Sequence, residues 1–363
     1  LSIFHILFDD NFTKKGGGNM DLIELEKKIV PEVFDTIELR YNILRTIYYK
    51  QPIGRRGLAY ELNIGERTIR TEVNILKEYG LLNIESMGMY VTEEGKKIIK
   101  ELGKVMHKIK GISDLENDLE ELLKVKKVLI VPGNSDINSL VLKDMGKTTS
   151  IYLKKLINEN CIIGVTGGTT MAHVADEMPE GKVGDNVMIT PARGGLGRDV
   201  ETQSNSIAAK LAKKLEANYR LLHIPDNIDK VTLDAILNIP DIKEVMELID
   251  NMNILVFGIG RADIMAERRS LPREIIKDII HRGAVAEAFG HYFDIEGKEI
   301  WESQTVGISL DTFQRIDNVI GVAGGEGKAE AIIAITSLRE NMTIITDEGA
   351  AKKMIKIAKK ATK

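Results

Sequence analysis

The stretch Gly164-Val165-Thr166-Gly167-Gly168-Thr169-Thr170 combines residue types suited to holding an anion. Glycines let backbone amides come close, threonines add hydroxyl donors, and a helix starting here would add the partial positive charge of its N-terminus. It is neither a Walker loop, since no Gly-Lys-Ser/Thr follows, nor a dinucleotide fingerprint, since the G-x-G-x-x-G spacing is missing. A tight strand-to-helix turn with no ligand would use the same glycines, so Gly167, Gly168, Thr169 and Thr170 alone leave both readings open. Cations stand in three further loops. Arg193 lies in Pro191-Ala192-Arg193-Gly194-Gly195-Leu196-Gly197-Arg198. Arg261, Arg268 and Arg269 follow the apolar run at 254–259, and Lys328 follows Gly324-Gly325-Glu326-Gly327. One phosphate seldom needs three separate cationic loops. A bisphosphate or similar polyanionic metabolite could use them all, with bidentate contacts from Arg and a point charge from Lys. Glu287, in Val285-Ala286-Glu287-Ala288-Phe289-Gly290, sits in apolar company. It is either an acceptor for sugar hydroxyls or a paired structural carboxylate.

A second group of residues could meet nucleic acid. Between Arg40 and Lys77 stand eight Lys/Arg (40, 45, 50, 55, 56, 67, 70, 77) and three Glu (61, 66, 72), a local excess of five positive charges. The whole chain carries −4, so the remainder is acidic by nine. Such a patch is the electrostatic footprint of phosphate contact. The periodicity predicts a helix over 37–49, a short helix at Gly57-Leu58-Ala59-Tyr60-Glu61-Leu62, a turn at Asn63-Ile64-Gly65 and a second helix from Glu66 to Tyr79. Ile69, Val73 and Leu76 form its inward stripe at i, i+4, i+7. Arg67, Thr68, Arg70, Thr71 and Asn74 fall on the other faces, where they can read base edges or hold phosphates in a major groove. A hairpin, or wing, follows over 81–91. The alternative is an ordinary three-helix scaffold with a solvated basic face.

The elements that must position the anion site alternate. Candidate strands are 128–131, 162–166, 187–190, Tyr219 to Ile224, 254–259, 319–323 and 342–346. Helices are expected at 170–178, 202–215, 328–338 and 348–359. Short apolar strands alternating with amphipathic helices predict a parallel sheet covered on both faces, and ligands of such sheets collect at the strand carboxyl ends. The interval Val285 to Leu310 breaks the alternation and reads as a hairpin insertion or edge strands. The fold expected is α/β: an N-terminal winged helix-turn-helix over 20–110, a connecting helix over 111–126 and a doubly wound, mostly parallel α/β sugar-phosphate-binding domain over 127–363. Leu115, Leu119, Leu122 and Leu123 stripe the connecting helix, for pairing or for packing on the large domain, and Ser113-Asp114-Leu115-Glu116 suits a capping box or first turn.

Composition narrows the classes. At about 150 residues per domain, 363 residues allow two or three domains. The one cysteine, Cys161, excludes a disulfide framework and any Cys-rich zinc site, which suits a reducing cytoplasm. The histidines (His5, His107, His173, His223, His281, His291) are scattered, and no metal or cofactor is expected. No apolar run approaches the ~18 residues of a membrane span. Lys14-Lys15-Gly16-Gly17-Gly18-Asn19-Met20 reads as a translated purine-rich ribosome-binding site ahead of a start at Met20, so residues 1–19 are read as a non-native leader.

Several blocks in order resemble the SorC-type sugar-responsive transcriptional regulators. They are Val131-Pro132-Gly133-Asn134-Ser135-Asp136, Gly164 to Thr170, Pro191 to Gly197, Tyr219-Arg220-Leu221-Leu222, Glu287-Ala288-Phe289-Gly290, Ala323-Gly324-Gly325 and Thr346-Asp347-Glu348-Gly349-Ala350-Ala351-Lys352. The resemblance covers nearly all of Met20 to Lys363. It implies a repressor of glycolytic genes, acting on operator DNA as a homodimer or homotetramer, with fructose 1,6-bisphosphate as effector. It also implies that Thr169, Thr170, Arg193, Gln203, Arg268, Glu287 and Lys328 line the effector pocket. The interval Asp226 to Asn238 departs from the family pattern, which leaves the sugar preference open. The family's effector domain is itself similar to sugar-phosphate isomerases and deaminases, so an enzyme is the rival. Its comparable acidic loop is here Gly258-Ile259-Gly260-Arg261-Ala262-Asp263, with one carboxylate and an intruding arginine, and no partnered acid is evident. A DNA-binding protein with no metabolite switch is the other rival.

Overall fold

The computed structural model describes residues 29–194, 199–224, 230–303 and 305–361. The leader reading for 1–19, residues Gly195 to Arg198 of the Pro191 loop, and 226–229 of the departing interval lie outside the described residues. The chain divides into two compact units, Leu1–Lys110 and Gly111–Lys363.

In the first unit, helices α1 (Pro31–Lys50), α2 (Arg55–Leu62) and α3 (Glu66–Glu78) are followed by the hairpin β1 (Leu82–Glu85) and β2 (Gly88–Val91) and by helix α4 (Glu93–Ile109). The chain leaves α2 through Asn63 in the left-handed region (φ 52°, ψ 45°), which Asn tolerates better than most residues. Ile69, Val73 and Leu76 of α3 are buried against Ile43, Leu44 and Ile47 of α1, Leu58 of α2 and Met89 and Val91 of the hairpin. Register Leu82↔Val91 to Glu85↔Gly88 leaves Ser86-Met87 as a two-residue tip. Thr92 caps α4, its Oγ1 accepting the Gly95 N–H at 3.0 Å. This is a winged helix-turn-helix. One member of the sequence's basic run behaves differently: Arg45 is buried rather than solvated.

The second unit begins with α5 (Ile112–Leu123) and continues β3 (Lys127–Val131), α6 (Leu140–Leu156), β4 (Ile162–Val165), α7 (Thr169–Asp176), β5 (Met188–Pro191), α8 (Ser204–Leu215), β6 (Asn218–Tyr219), α9 (Lys230–Ile236) and α10 (Pro240–Asp250). Then come β7 (Ile254–Gly258), β8 (Gly260–Arg261), α11 (Ala262–Arg268), α12 (Arg273–His281), β9 (Ala286–Ala288), β10 (His291–Phe293), β11 (Glu299–Glu302), α13 (Leu310–Arg315), β12 (Asn318–Val322), α14 (Ala329–Thr336), β13 (Met342–Asp347) and α15 (Glu348–Ala361). Seven strands pair in the order β3-β13-β12-β7-β4-β5-β6, every pair parallel. Alternation along β7 shows why both faces are covered: Leu255 and Phe257 enter one apolar core, Ile254 and Val256 the other.

Two elements differ from the sequence reading. The sixth strand pairs only over Asn218–Tyr219, because the chain beyond it is taken up by a side chain. Asn205 of α8 donates its Nδ2 to Leu222 O and accepts the Leu222 N–H at Oδ1, both at 3.0 Å, replacing a ladder partner. The interval 285–310 supplies no edge strand to the large sheet. Its strands form most of a separate antiparallel sheet, β11-β10-β9-β8. Helix α5 packs on β3 with Ile112, Leu119 and Leu123 buried. Ser113 lies inside its first turn and Gly111 holds the cap position, so no capping box forms. Glu116 and Glu120 of α5 accept the N–H groups of Ile130 (2.8 Å) and Val128 (2.9 Å), satisfying the outer edge of the sheet.

Candidate functional site

The loops leaving β4, β5, β7 and β12 enclose a cavity of about 340 Å³ together with the small antiparallel sheet. That size suits a small ligand. Of the nine residues expected at an effector site, Gly167, Gly168, Thr169, Thr170, Arg193, Arg268, Glu287 and Lys328 line it. Gln203 falls outside the lining, between Thr202 and Ser204, which belong to it. Asp199, Thr202, Ser204, Met265 and Phe289, which the sequence reading does not single out, also line the cavity, as does Arg269, which it names only among the cations after 254–259. Spacing offered no signal for most of these. Arg269 was visible as the neighbour of Arg268, but adjacent helical residues point in different directions, and only packing shows that both reach the cavity.

Gly167 and Gly168 of the 164–170 loop line the cavity and are structurally required. A Cβ at Gly167 would stand 2.7 Å from Thr202 O, so the close approach of that strand end requires glycine. Gly168 (φ 117°) donates its N–H to Thr202 O at 2.8 Å. That amide is thus committed within the protein, whereas Thr169 and Thr170 in the first turn of α7 line the cavity and have N–H groups with no acceptor inside the helix.

Arg193 is fixed by its backbone. Ser204 Oγ donates to its carbonyl at 3.0 Å, while Gly194 N–H to Val306 O and Ile308 N–H to Ala192 O, each 2.8 Å, bind the flanking chain to the segment 306–308. Gly307 is needed there, since its Cβ would lie 2.4 Å from that of Arg193. The side chain of Arg193 and that of Arg269, both buried, flank Glu287. Arg269 Nη2 lies 2.5 Å and Arg193 Nη1 3.5 Å from Glu287 Oε1, which also accepts the Gly290 N–H at 2.7 Å. Glu287 is therefore a paired carboxylate that also lines the cavity. The turn delivering Gly290 holds Phe289 at φ 57°, which costs a non-glycine residue about 1–2 kcal/mol. Ring contacts offset this, with Phe257 at 4.9 Å and Phe313 at 5.2 Å between centroids. Burial, with the Glu287 charge nearby, pushes the Tyr292 hydroxyl well above the ordinary tyrosine range.

Lys328 is carried by a hydrogen-bonded junction of three loops. Asp347, fully buried at the end of β13, accepts at Oδ2 from Ser135 N–H (2.8 Å), Ser135 Oγ (2.6 Å) and Gly325 N–H (2.7 Å), and at Oδ1 from Ala350 N–H (2.8 Å). Asp136 accepts the Gly327 N–H at 3.1 Å. Burial, reinforced by the Arg268 charge, holds the Lys328 ammonium below the ordinary lysine range, although Asp136 and Asp347 oppose that shift.

The carboxylate that an isomerase reading would need is engaged elsewhere. Arg261 Nε and Nη2 bind Asp263 Oδ1 and Oδ2 at 3.1 and 2.5 Å. Burial would raise the Asp263 pKa, but these bonds, the Ile264 N–H and the arginine charge outweigh it and hold it low. Neither residue lines the cavity. His291, one of the scattered histidines, lies with Glu299 and Glu302, its Nδ1 hydrogen-bonded to Glu299 Oε1 at 2.7 Å.

In the first unit, Arg67, Thr68, Arg70, Thr71 and Asn74 are all exposed on α3. Glu66 stands 3.7 Å from Arg70 and 3.6 Å from Arg56, while Asn74 Oδ1 accepts from Arg55 Nη2 at 3.4 Å. The basic run divides by role: Arg40 pairs with Glu72 and Lys50 with Glu61, whereas Arg56, Arg67 and Arg70 stay at the surface.

Comparison with known proteins agrees with both units. The model of the CggR N-terminal DNA-binding domain matches residues 36–106, and that of the sugar-binding domain family (Sugar-bind) matches 107–356. The chain is 41% identical over 336 residues to the central glycolytic genes regulator of Priestia megaterium, covering 92% of this chain and 98% of that one. It is 41% identical over 335 residues to the protein of the same name from Bacillus subtilis, with the same coverage. The full-length sorbitol operon regulator SorC from Klebsiella pneumoniae shares the fold, with TM-score 0.63 and 19% identity over 93% of this chain and 100% of that chain. These relatives are regulators of transcription and not enzymes, and among the described residues no helix is long and apolar enough to cross a membrane. The chain belongs to the SorC family of sugar-responsive transcriptional regulators, in the group whose winged helix is of the CggR type.

Proposed function

We propose that this regulator is a repressor of glycolytic genes whose hold on operator DNA is set by a sugar bisphosphate, with fructose 1,6-bisphosphate the leading effector. The observation that carries this reading is the convergence of Arg193, Arg268, Arg269 and Lys328, with the N-terminus of α7, on one cavity that also holds Glu287. Four cations against Glu287 and Asp199 exceed what one phosphate needs, and the carboxylate offers an acceptor for hydroxyls. The names of the relatives support the gene class. Operator contacts are assigned to Arg67, Thr68, Arg70, Thr71 and Asn74, and the working form is a homodimer or homotetramer, as the family resemblance implies. Effector and operator binding are reciprocal: each alters the other's affinity by the same factor. No cofactor takes part.

The test is an operator-binding titration at fixed ionic strength, with and without fructose 1,6-bisphosphate, fructose 6-phosphate and dihydroxyacetone phosphate. The bisphosphate should weaken operator binding at the lowest concentration. Operator affinity unchanged by all three, with no calorimetric binding of any, would leave a DNA-binding protein without this switch.

A further inference from the structure

Among the described residues, three hydrogen bonds to Glu287 converge on a single oxygen. Oε1 takes the Arg269, Arg193 and Gly290 donors. Oε2 lies instead beside Gly260, the residue paired with Glu287 across β8 and β9, at 3.4 Å from where a Cβ at that glycine would stand. Gly260 and Glu287 both line the cavity, and Gly260 has no side chain to come between Oε2 and the cavity. A Cβ there would also collide with Met265 Cγ at 2.4 Å.

Two adjacent arginines are thereby given different work. Arg268 is exposed and acts electrostatically on Lys328, at the cationic side of the cavity. Arg269 is 5% exposed and is directed to Glu287 Oε1. The second donor on that oxygen comes from a turn in which Phe289 and Gly290 both have positive φ, so local backbone cost is accepted to bring the Gly290 N–H to the carboxylate.

Charge alone would let this cavity accept any small polyanion. An ionised carboxylate only accepts hydrogen bonds and repels phosphate oxygens. Held by two of the cavity's four cations, it therefore reads the uncharged part of a ligand. We propose that Arg269 is a positioning residue: by holding Glu287 Oε1 it presents Oε2 to the ligand, so the pocket selects a polyanion with hydroxyl donors between its charged ends over one of equal charge without them. The proposal rests on the sugar-bisphosphate reading and adds a basis for selectivity to it.

The experiment titrates the full chain by calorimetry with fructose 1,6-bisphosphate and with hexane-1,6-diol bisphosphate, which keeps six carbons and two phosphates but has no hydroxyl. The unmodified chain should prefer the sugar. Arg269→Met should weaken sugar binding about tenfold more than diol bisphosphate binding, since both lose one attracting charge but only the sugar loses a positioned acceptor, so that the preference collapses. Arg269→Lys should regain part of the preference. In a Glu287→Gln background, Arg269→Met should leave the preference between the two ligands unchanged, because the group it positions is already disabled. Equal losses for both ligands would make Arg269 a direct phosphate ligand, and an unchanged preference would make it structural; either overturns the proposal. Urea denaturation of the second unit reports folding, and if Arg269→Met does not fold, Arg269→Lys and the double variant decide. Equal binding of both ligands by the unmodified chain removes this inference and leaves the polyanion reading standing. Binding of neither removes both.

Discussion

The two units use charge in opposite ways. The winged helix presents its polar side chains on one exposed surface of one helix, from five positions within eight residues of sequence. The sugar-binding unit collects its cations from segments spread between Arg193 and Lys328 and buries two of them beside a carboxylate. Exposed charges are screened by water and salt, so each on α3 is expected to contribute a modest, salt-sensitive share of the proposed operator binding. Buried charges feel a lower dielectric and must be held by partners, so each in the cavity bears on stability and on selectivity together. A recognition surface can thus be built from one short stretch, whereas a selective pocket needs supporting structure several times its size.

The sharpest way to break that comparison is Asp347→Ala. The fully buried carboxylate accepts four hydrogen bonds that join the loops at 135, 325 and 350. Its removal should destabilise the second unit by roughly 3 kcal/mol in urea denaturation while the first unit unfolds as before. A loss under about 1 kcal/mol would mean that the junction is not what holds Lys328. Next in size, Lys328→Ala should weaken effector binding by about thirtyfold, the worth of a charge-assisted contact, with operator binding in the absence of effector unchanged. If a mobility-shift titration showed lost operator binding while calorimetry showed intact effector binding, the division of labour would be reversed. Smaller again, Arg70→Ala should lower operator affinity several-fold and reduce the slope of log affinity against log salt by about one, leaving effector binding alone.

The smallest effect concerns pH. The Lys328 ammonium is held below the ordinary lysine range in the unliganded protein, first by burial and then by Arg268. A bound polyanion favours its charged form and so raises its pKa. The contribution of that charge to binding is full at pH values below the unliganded pKa and is lost as pH rises through the liganded one. Effector affinity should therefore decline several-fold as pH climbs through the alkaline range toward the usual lysine value of about 10.4, and Lys328→Arg should flatten the profile. A flat profile in the unmodified protein would show that Lys328 gives no proton-linked share of binding.

Much of this architecture was legible from residue patterns. Six of the seven strands of the large sheet were readable because their apolar runs are short and bounded by glycine or polar residues, while the sixth, expected over 219–224, meets the observed Asn218–Tyr219 at one residue. The stripe of Ile69, Val73 and Leu76 sufficed to place the five exposed residues of α3. The small antiparallel sheet was less legible, since β8 to β11 are two to four residues long and carry too little periodicity to separate an edge strand from an independent sheet. The early end of β6 had no local signal at all, because its cause is the Asn205 side chain on another element.

Sequence by itself determined the helices and hairpin of the winged unit, most strands of the large sheet, which face of α3 is apolar, and that cations stand just past several strands, because those properties depend on neighbours within a few residues. Only the tertiary structure decided that Arg269 is directed to Glu287, that Gln203 stands outside the cavity while Thr202 and Ser204 line it, and that Asp263 is neutralised by Arg261. Those outcomes depend on which distant segments meet and on which side chains lose water when they do. That is a property of packing and not of spacing along the chain.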